Sequence, residues 1–517
     1  MIQEAQRVEF GDYQTPAVLA REVAGFLKSV GLSPRVIVEP TCGLGAFVEA
    51  ATEVFPSAQC FAFDINHGYV DGFAVAGERV SVEQQDFFSK DWKTFFAGLA
   101  GEILVIGNPP WVTNSGLGAI RGSNLPEKNN FQNHRGFAAK TGKANFDISE
   151  WMLIKLLESL GQHQACLAML CKTATARKLL KHAWLHEFPV GRASLHLIDA
   201  QAHFQVAVDA CLLVVHTGIT GAAKTATVYR SLSFAEKANT LGLYGKELIA
   251  NIEDFHRLID LDGIGYYTWR SGVKHDAAKV MEFTKTGSHF CNGLQDEVAI
   301  EDTYLYPMLK SSDLANDEID PTRLVLVTQK HPSDDTAAIR EKAPATWKYL
   351  HTYGAQLDAR QSIIYQKRAR FSVFGVGAYT FAPWKVAISG MYKTLKFRVL
   401  GSVRGKPIVV DDTCYFIPCH TRQEAEFICG LLNSDLCQRF LRALVFLDAK
   451  RPVTIDVLNR IDLKRLAEKL GLQAEAKRHL AAAREFENGR PQLVFEKKRP
   501  SAKSYRASPK KMQRSAK

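Results

Sequence analysis

Short runs of branched aliphatic residues recur along the first half of the chain, separated by stretches in which apolar residues follow a helical period. The run at residues 103–106 reads Ile-Leu-Val-Ile; comparable runs begin near residues 35, 59 and 165, and a shorter one begins near residue 80. Uninterrupted apolar runs of this length are typical of strands buried on both faces of a sheet, as parallel strands are. The pattern therefore predicts an α/β domain, which we expect to close with an antiparallel hairpin of residues 194–198 and 210–216.

After about residue 225 the apolar pattern becomes shorter and less regular, and helical periodicity returns at residues 422–447 and 457–485. From Lys497 to Lys517 the chain holds nine Lys or Arg and no acid. Blocks of like charge rarely fold, so we expect this end to be disordered; it could hold phosphates without sequence preference or serve only solubility. The sequence thus predicts three regions, at residues 1–225, 226–490 and 491–517.

The composition gives little direct support for nucleic-acid binding. The 517 residues are 46% hydrophobic and 23% charged, which are ordinary values for a globular protein. The net charge of +11 lies mostly in the basic end, because the rest of the chain carries 56 basic and 54 acidic residues. Any argument for a nucleic-acid partner must therefore come from particular residues.

Cysteine usage and the lengths of apolar runs bear on the compartment. Ten Cys occur with no Cys-x-x-Cys pair, which disfavours both a zinc ribbon and a secreted disulfide framework. No apolar run reaches the length of a membrane span, and the first residues lack a secretory pattern. We expect a cytoplasmic protein without a membrane partner.

The strand at residues 103–106 leads into a turn that carries a polar side chain. Gly107 ends the strand, and Pro109 and Pro110 fix an extended turn that holds Asn108 and Trp111 at the strand's carboxyl end, where open α/β sheets bind ligands. The Asn oxygen and the next carbonyl could accept both hydrogens of an NH2 group while the aromatic ring stacks on its plane. A Pro-Pro turn with Trp111 packed in the core explains the tetrapeptide alone equally well.

Earlier strand ends carry residues suited to a ligand that contains adenosine. Glu39 and a Gly-x-Gly turn follow the first strand, and glycines let a backbone approach a ligand closely. Asp64 ends the second strand, 19 residues beyond Gly45, where an acid can accept ribose hydroxyls. Asp86 and Phe87 follow the third strand and could contact an adenine ring. Singly, each has a structural explanation, as a βα turn or a helix N-cap.

Thr15 and Pro16 precede the first helical pattern, which runs from Val18 to Val30. Thr is a common N-cap, and Pro is common at the first helical position because its missing N–H would be unpaired there in any case. We expect Thr15 to be the N-cap and Pro16 the first residue of this helix.

The order of these features resembles that of the S-adenosylmethionine-dependent amino-methyltransferases, whose hallmark is (Asp/Asn/Ser)-Pro-Pro-(Tyr/Phe/Trp). With the cofactor residues before the tetrapeptide and a long remainder after it, the chain looks like the gamma group of DNA adenine-N6 methyltransferases from restriction–modification systems. The resemblance covers residues 12–216 closely and residues 271–420 loosely. One departure is Thr41, where many members have Ala or Ser after the proline.

This resemblance implies a Rossmann-like, seven-stranded methyltransferase sheet followed by a mixed α+β target-recognition domain, with S-adenosyl-L-methionine as cofactor and no metal. The residues that match the family's cofactor-binding positions are Thr15, Pro16, Glu39, Thr41, Gly43, Gly45, Asp64, Asp86 and Phe87. Those that match its catalytic turn are Asn108, Pro109, Pro110 and Trp111. Phe204 takes the position of the aromatic that stacks on the target base opposite Trp111, with core packing as the alternative.

Two kinds of segment could contact DNA. Residues 112–144 are polar and rich in Gly and Asn, and they could close over DNA or form a mobile surface loop. Residues 271–313 and 365–385 interleave basic and aromatic residues, which can hold phosphates and contact bases, although an exposed β-meander would look similar. The candidate DNA contacts are Lys310, Lys367, Arg368 and Arg370.

The function implied by the resemblance is site-specific methylation of adenine N6 in duplex DNA, with base flipping, in a bacterial or archaeal restriction–modification or related defence system. Double-stranded DNA is then the partner, a cognate restriction endonuclease could act at the same site without a stable complex, and a monomer would suffice. The alternatives are another NH2 target (cytosine N4, RNA adenine or a protein glutamine amide) and a catalytically silent DNA-binding specificity protein. The presence of Glu39, Asp64, Asp86 and Asn108 disfavours the silent protein.

Overall fold

The computed structural model describes residues 14–73, 78–111, 147–287, 289–366 and 368–480. The chain divides into two compact units: the first is Met1–Leu258 with Arg442–Lys450, and the second is Ile259–Leu441 with Arg451–Lys517. The predicted polar segment at 112–144, the basic end and Lys367 lie outside the described residues. In the described part, no helix is long and apolar enough to cross a membrane.

The first unit contains ten strands and eight helices among its described residues. The strands are β1 Val36–Glu39, β2 Gln59–Asp64, β3 Val80–Gln84, β4 Ile103–Gly107, β5 Ala165–Lys172, β6 Val190–Ile198, β7 Ala210–Thr217, β8 Thr225–Tyr229, β9 Lys237–Tyr244 and β10 Glu247–Ile249. The helices are α1 Ala17–Ser29, α2 Ala46–Val54, α3 His67–Asp71, α4 Trp92–Ala97, α5 Ile148–Leu160, α6 Thr173–Leu185, α7 Ala200–Phe204 and α8 Ile252–Arg257.

All ten strands form one sheet in the order β10-β9-β8-β6-β7-β5-β4-β1-β2-β3. Strands β1 to β5 pair in parallel, and β7 lies antiparallel between β5 and β6, so the predicted α/β sheet and its terminal hairpin are confirmed. Strand β8 pairs in parallel with β6 and continues through β9 to β10, which leaves β6 inside the sheet. Residues 226–258, which the apolar pattern assigned to the following region, therefore lie in the first unit.

The sheet is buried on both faces, which explains the uninterrupted apolar runs. Along β1 and β4, alternate residues enter two separate clusters: Val38 and Val105 lie in one with α4, α5 and α6, and Ile37 and Leu104 lie in the other with α1 and α2. Successive side chains of a strand point to opposite faces, so a strand covered by helices on both sides needs apolar residues at every position.

A segment from late in the chain completes the first unit. This returning segment, residues 442–450, places Asp448 against the start of α6, where its Oδ2 accepts hydrogen bonds from Thr173 Oγ1 at 2.5 Å and from Arg177 Nη1 at 2.6 Å. The guanidinium carbon of Arg177 also lies 4.4 Å from the ring centroid of Phe446. Burial acts to raise the pKa of Asp448, but the hydrogen bonds from Arg177 and Thr173 outweigh it and lower the pKa.

We expect Asp448→Ala to lower the free energy of unfolding by about 2 kcal/mol, because it leaves the Arg177 side chain, only 12% exposed, without its carboxylate. Urea denaturation of the full chain measures this loss. The control is Lys224→Ala, which breaks the exposed Lys224–Glu187 pair and should cost less than about 0.5 kcal/mol. Equal losses in the two variants would contradict a stabilising role for the returning segment.

The second unit is a mixed α+β domain, as predicted. Its strands are β11 Arg270–Ser271, β12 Glu282–Thr286, β13 His289–Asn292, β14 Glu297–Val298, β15 Leu305–Leu309, β16 Arg323–Leu326, β17 Trp384–Ser389, β18 Arg398–Leu400, β19 Ser402–Val403, β20 Lys406–Pro407, β21 Val409–Val410 and β22 Cys414–Cys419. The helices of this part of the chain are α9 Ala278–Met281, α10 Ser311–Ala315, α11 Ile339–Lys342, α12 Pro344–Thr352, α13 Gly354–Asp358, α14 Arg422–Asn433, α15 Asp435–Leu444, α16 Ile455–Leu458, α17 Leu463–Lys469 and α18 Gln473–His479.

These strands form a six-stranded sheet, β14-β13-β12-β16-β15-β21, a four-stranded sheet, β11-β22-β17-β18, and the short pair β19-β20. One apolar cluster joins the six-stranded sheet to α12 through residues such as Phe283 and Leu350, and a smaller one includes Ala387 and Phe416. The second unit thus has a core of its own.

Candidate active site

The sheet register brings three predicted polar residues to one edge of the first unit. In β1, Val38 pairs with Val105 of β4 and Glu39 pairs with Ala62 of β2, all in parallel. Glu39, Asp64 and Asn108 therefore follow adjacent strands at their shared carboxyl ends. This is the edge at which open α/β sheets bind ligands.

The Gly-x-Gly turn after β1 is held by side chains from two other segments. The backbone N–H of Gly43 donates to Asp64 Oδ2 at 2.9 Å, and that of Leu44 donates to Gln14 Oε1 at 3.0 Å. Gly43 and Gly45 have φ of 51° and 88°, a left-handed conformation that favours glycine. A side chain at Gly45 would also lie within 2.3 Å of the Phe73 ring, so both conformation and space require these glycines.

Asp64 is half-buried and takes part in this turn rather than lying apart from it. Its Oδ1 accepts a hydrogen bond from the backbone of Asn66 at 2.8 Å, while its Oδ2 accepts the one from Gly43. Each carboxylate oxygen can accept more than one hydrogen bond, so the group keeps capacity for ligand hydroxyls. Asp64 thus fixes the turn and faces the same edge.

Glu39 is a buried carboxyl, only 2% exposed, beside the start of the Asn-Pro-Pro-Trp turn. A side chain at Gly107 would lie 3.5 Å from its Cγ. Burial, reinforced by the nearby Asp64 carboxylate, raises the pKa of Glu39 well above its usual value near 4.5. Glu39 Oε2 and Thr41 Oγ1 are buried without a hydrogen-bond partner among the residues that the structure describes. Buried polar atoms are normally paired, so this pair of oxygens indicates a ligand with donors or positive charge.

The Asn-Pro-Pro-Trp turn is packed rather than exposed. Asn108 is half-buried with its Oδ1 atom inaccessible, Pro109 is buried, and Trp111 is 6% exposed. The Trp111 indole Nε1 is also buried and makes no hydrogen bond within the described ranges. The turn therefore holds the amide oxygen of Asn108 and the ring of Trp111 in packed, well-defined positions.

The Phe204 ring contacts the Trp111 ring directly, and its stacking on a target base, which the resemblance implies, stays a prediction. The two ring centroids are 5.3 Å apart with planes tilted by 64°, an edge-to-face arrangement. Phe204 is the last residue of α7, which ends where Gln205 adopts a left-handed φ of 59°. The two aromatics thus flank one side of the turn that carries Asn108.

The third strand end contributes less than the sequence indicated. Asp86 is half-buried and its Oδ1 accepts the backbone N–H of Phe88 at 2.9 Å. The Phe87 ring is 4% exposed and packs in the core, 5.0 Å from the ring of Trp92, and its contact with an adenine ring stays a prediction. At the other end of the site, α1 begins at Ala17 with Pro16 as its N-cap, one residue later than predicted from Thr15.

The candidate DNA contacts of the second unit are tied to neighbouring groups. Lys310 Nζ lies 2.6 Å from Glu282 Oε1, and Arg370 makes two hydrogen bonds to Asp358 at 2.7 and 3.1 Å. Arg368 donates to the Pro332 carbonyl at 3.2 Å and is exposed. Lys310 is thus half-buried in an ion pair, whereas the two arginines remain accessible.

Two residues at this edge were missed in the sequence analysis. Gln14 supports the Gly-x-Gly turn, and its position next to Thr15 and Pro16 was the available signal. Lys172 ends β5 and donates to the Trp111 carbonyl at 3.0 Å and to Asp147 Oδ2 at 2.6 Å. A lysine closing an otherwise apolar strand was a signal too, but its partners are distant in sequence.

Comparison with known proteins identifies similar chains. The type II methyltransferase M.NspV of Nostoc sp. (strain ATCC 29411 / PCC 7524) is 44% identical over 473 residues, which cover 90% of this chain and 98% of that protein. The type II methyltransferase M.XamI of Xanthomonas campestris pv. amaranthicola is 32% identical over 115 residues, 21% of each chain. No protein-family profile matches the chain.

Among solved structures, the type IIL restriction–modification enzyme MmeI in complex with DNA has a similar fold, with a TM-score of 0.51 at 13% identity. The match covers 89% of this chain and 65% of the MmeI chain. It therefore spans both units described above.

Proposed function

The chain belongs to the type II methyltransferases, the DNA methyltransferases of restriction–modification systems, and we propose that it transfers a methyl group from S-adenosyl-L-methionine to the N6 amino group of adenine in duplex DNA. The observation that carries this proposal is the placement of Asn108 and Trp111 beside the buried carboxyl of Glu39. This edge joins hydrogen-bond acceptors for an amine, an aromatic surface for a base and an uncompensated acid for a cationic ligand.

The residues at the edge fit the proposed cofactor. Glu39 Oε2 and Thr41 Oγ1 are buried oxygens whose partners are lacking among the described residues, and they suit the cationic amino-acid end. Gly43 and Gly45 let the backbone approach closely, and we assign Asp64 to the ribose hydroxyls and Asp86 to the adenine amine. When bound, the cofactor supplies a methyl group activated by a sulfonium, so the protein's task is alignment and charge stabilisation.

The catalytic turn would act on the target amine. The N6 lone pair of adenine is delocalised into the ring, which makes the amine a weak nucleophile. By accepting its two hydrogens, Asn108 Oδ1 and the Pro109 carbonyl favour a more tetrahedral nitrogen and stabilise the positive charge that develops on it. These acceptors are fixed before the reaction because Pro109 and Pro110 restrict the turn.

The aromatic pair would receive the base. A base in duplex DNA must leave the stack to reach the turn, at a cost of a few kcal/mol. Stacking on Trp111, with Phe204 at the edge of the base, returns part of that cost. The edge-to-face contact of the two rings supports assigning both to one site.

The second unit would read the target sequence. Arg368 and Arg370 are accessible and could contact phosphates, with the neighbouring Lys367 as a third candidate, while the ion pair with Glu282 favours a structural role for Lys310. In this proposal the enzyme works as a monomer on cytoplasmic DNA, and a cognate endonuclease recognises the same site without a stable complex.

Transfer of labelled methyl from S-adenosylmethionine to unmethylated duplex DNA of mixed sequence, followed by nucleoside analysis, tests the proposal. Label in N6-methyladenine within one short repeated sequence is the expected result. Label in N4-methylcytosine would overturn the base assignment and keep the catalytic turn. No label in DNA, with the cofactor still bound, would overturn DNA as the substrate.

A further inference from the structure

Lys172 stands out because it is a cation at the end of a buried strand and beside the catalytic turn. Its seven predecessors in β5 are buried, and β5 pairs in parallel with β4 so that Met169 lies opposite Gly107. Lys172 lies three residues beyond Met169, past the end of β4 and alongside the turn that follows Gly107, and it still pairs with Ala210 of β7. The register of two strands therefore places this side chain.

The ammonium group of Lys172 joins two points of the chain that are far apart in sequence. It donates to the Trp111 carbonyl at 3.0 Å and to Asp147 Oδ2 at 2.6 Å. The Asp147 side chain is 8% exposed, and its Oδ1 accepts hydrogen bonds from the backbone and hydroxyl of Ser149 as the N-cap of α5. Lys172 is thus anchored by a carboxylate that is itself fixed to a helix.

We propose that Lys172 is a positioning residue for methyl transfer. Its charge-assisted hydrogen bond to the Trp111 carbonyl fixes the orientation of that carbonyl, and so keeps the acceptors and the ring of the catalytic turn in fixed positions. This inference rests on the proposed function. The two prolines fix the backbone before Trp111, but ring closure does not constrain the torsion after it. The bond from Lys172 supplies that constraint, and charge-assisted bonds are stronger than neutral ones.

The ion pair with Asp147 also offsets the positive charge that Lys172 brings close to the catalytic turn. The amine gains positive charge as it is methylated, and an unpaired ammonium nearby would oppose that charge. With Asp147 at 2.6 Å, the pair is neutral overall, so Lys172 can orient the turn without that penalty. A purely structural ion pair would need no contact with the Trp111 carbonyl.

The test compares Lys172→Met, Lys172→Arg and, as a control, Lys93→Ala, which removes an exposed lysine of α4. Three quantities are measured for each: the single-turnover rate of methyl transfer, the cofactor dissociation constant, and the fluorine NMR spectrum of protein labelled with 5-fluorotryptophan. The chain has seven Trp, and a Trp111→Phe variant assigns the resonance of Trp111.

We expect Lys172→Met to lower the single-turnover rate by about 10–100-fold, the effect of a misplacement of about 1 Å, while the cofactor dissociation constant changes less than about threefold. The Trp111 resonance should shift or broaden. Lys172→Arg should restore most of the rate and the resonance, because a guanidinium can reach both acceptors, and Lys93→Ala should change neither. An unchanged Trp111 resonance and rate in Lys172→Met, or a rate loss fully explained by lost cofactor binding, would overturn the proposal.

Failure of the proposed function would look different. If the unaltered protein transfers no methyl to DNA, the proposed function is wrong. The positioning role of Lys172 is then tested by the Trp111 resonance alone. A shift of that resonance in Lys172→Met supports the role, and an unchanged resonance overturns it. If Lys172→Met does not fold, Asp147→Asn takes its place. That variant keeps an N-cap and weakens the anchor of Lys172, so a smaller change of the same kind is expected.

Discussion

Replacing Asn108 with alanine is expected to lower the rate of methyl transfer at saturating cofactor by about a thousandfold, with little change in cofactor affinity. Alanine removes the side-chain oxygen that accepts one hydrogen of the target amine, and loss of one such preorganised group typically costs about 10²–10³-fold in rate. The oxygens assigned to the cofactor belong to Glu39, Thr41 and Asp64, which the substitution leaves in place. Single-turnover transfer and equilibrium cofactor binding, measured on the same preparation, separate the two effects.

Asn108→Asp is the matched control, because it keeps an acceptor oxygen and the family hallmark allows Asp at this position. It should retain a measurable part of the rate that Asn108→Ala loses. A variant Asn108→Ala that loses cofactor binding but transfers methyl normally once saturated would contradict the assignment of Asn108 to the amine.

Glu39→Gln is expected to weaken cofactor binding by about 10–100-fold, the range for losing a charged partner in a buried site. In the free protein, burial holds the pKa of Glu39 well above its usual value. A cation beside the carboxyl favours its charged form and lowers that pKa again. Binding should therefore release a proton, and cofactor affinity should rise with pH until the raised pKa of the free protein is passed.

Calorimetric titration in two buffers of different ionisation enthalpy measures this proton release. It should be present in the unaltered protein, absent in Glu39→Gln and retained in Glu49→Gln, which changes an exposed acid of α2. A carboxyl whose pKa is raised by folding stabilises the folded state at low pH and loses that contribution as pH rises through the raised pKa. Glu39→Gln should therefore be no less stable at neutral pH, and proton release that persists in this variant would place the titrating group elsewhere.

The features predicted from sequence were those that depend on neighbouring residues. An apolar strand, the glycine that ends it and two prolines determine locally where Asn108 and Trp111 stand, so the catalytic turn could be predicted before any fold was known. The continuous runs of β1 and β4 likewise follow from burial on both faces. Trp111 and Phe204 are 93 residues apart. The expectation that they share one site came from the resemblance and not from hydrophobic periodicity.

The features that were missed depend on distant partners. Strand β8 alternates buried and half-buried residues, a pattern that would suit a strand in many different sheets. Its position beside β6 depends on hydrogen-bonded pairing with that strand, which the pattern does not show. Lys172 bonds to residues 61 and 25 positions away, so nothing local shows its role. An Asp-Phe pair after a strand is compatible with a ligand contact. The Phe87 ring instead packs in the aromatic core around Trp92.

The returning segment has a consequence for engineering new specificities. Residues 442–450 belong to the first unit, whereas residues 259–441 and 451–517 both belong to the second, so the chain passes between the units three times. A chimaera that exchanges the second unit between relatives therefore needs three junctions, after Leu258, before Arg442 and after Lys450, so that Asp448 of the host still meets Thr173 and Arg177 of its own α6. A single crossover after residue 258 would instead combine the α6 of one parent with the returning segment of the other, and the graft would succeed only where both parents keep that hydrogen-bonded contact.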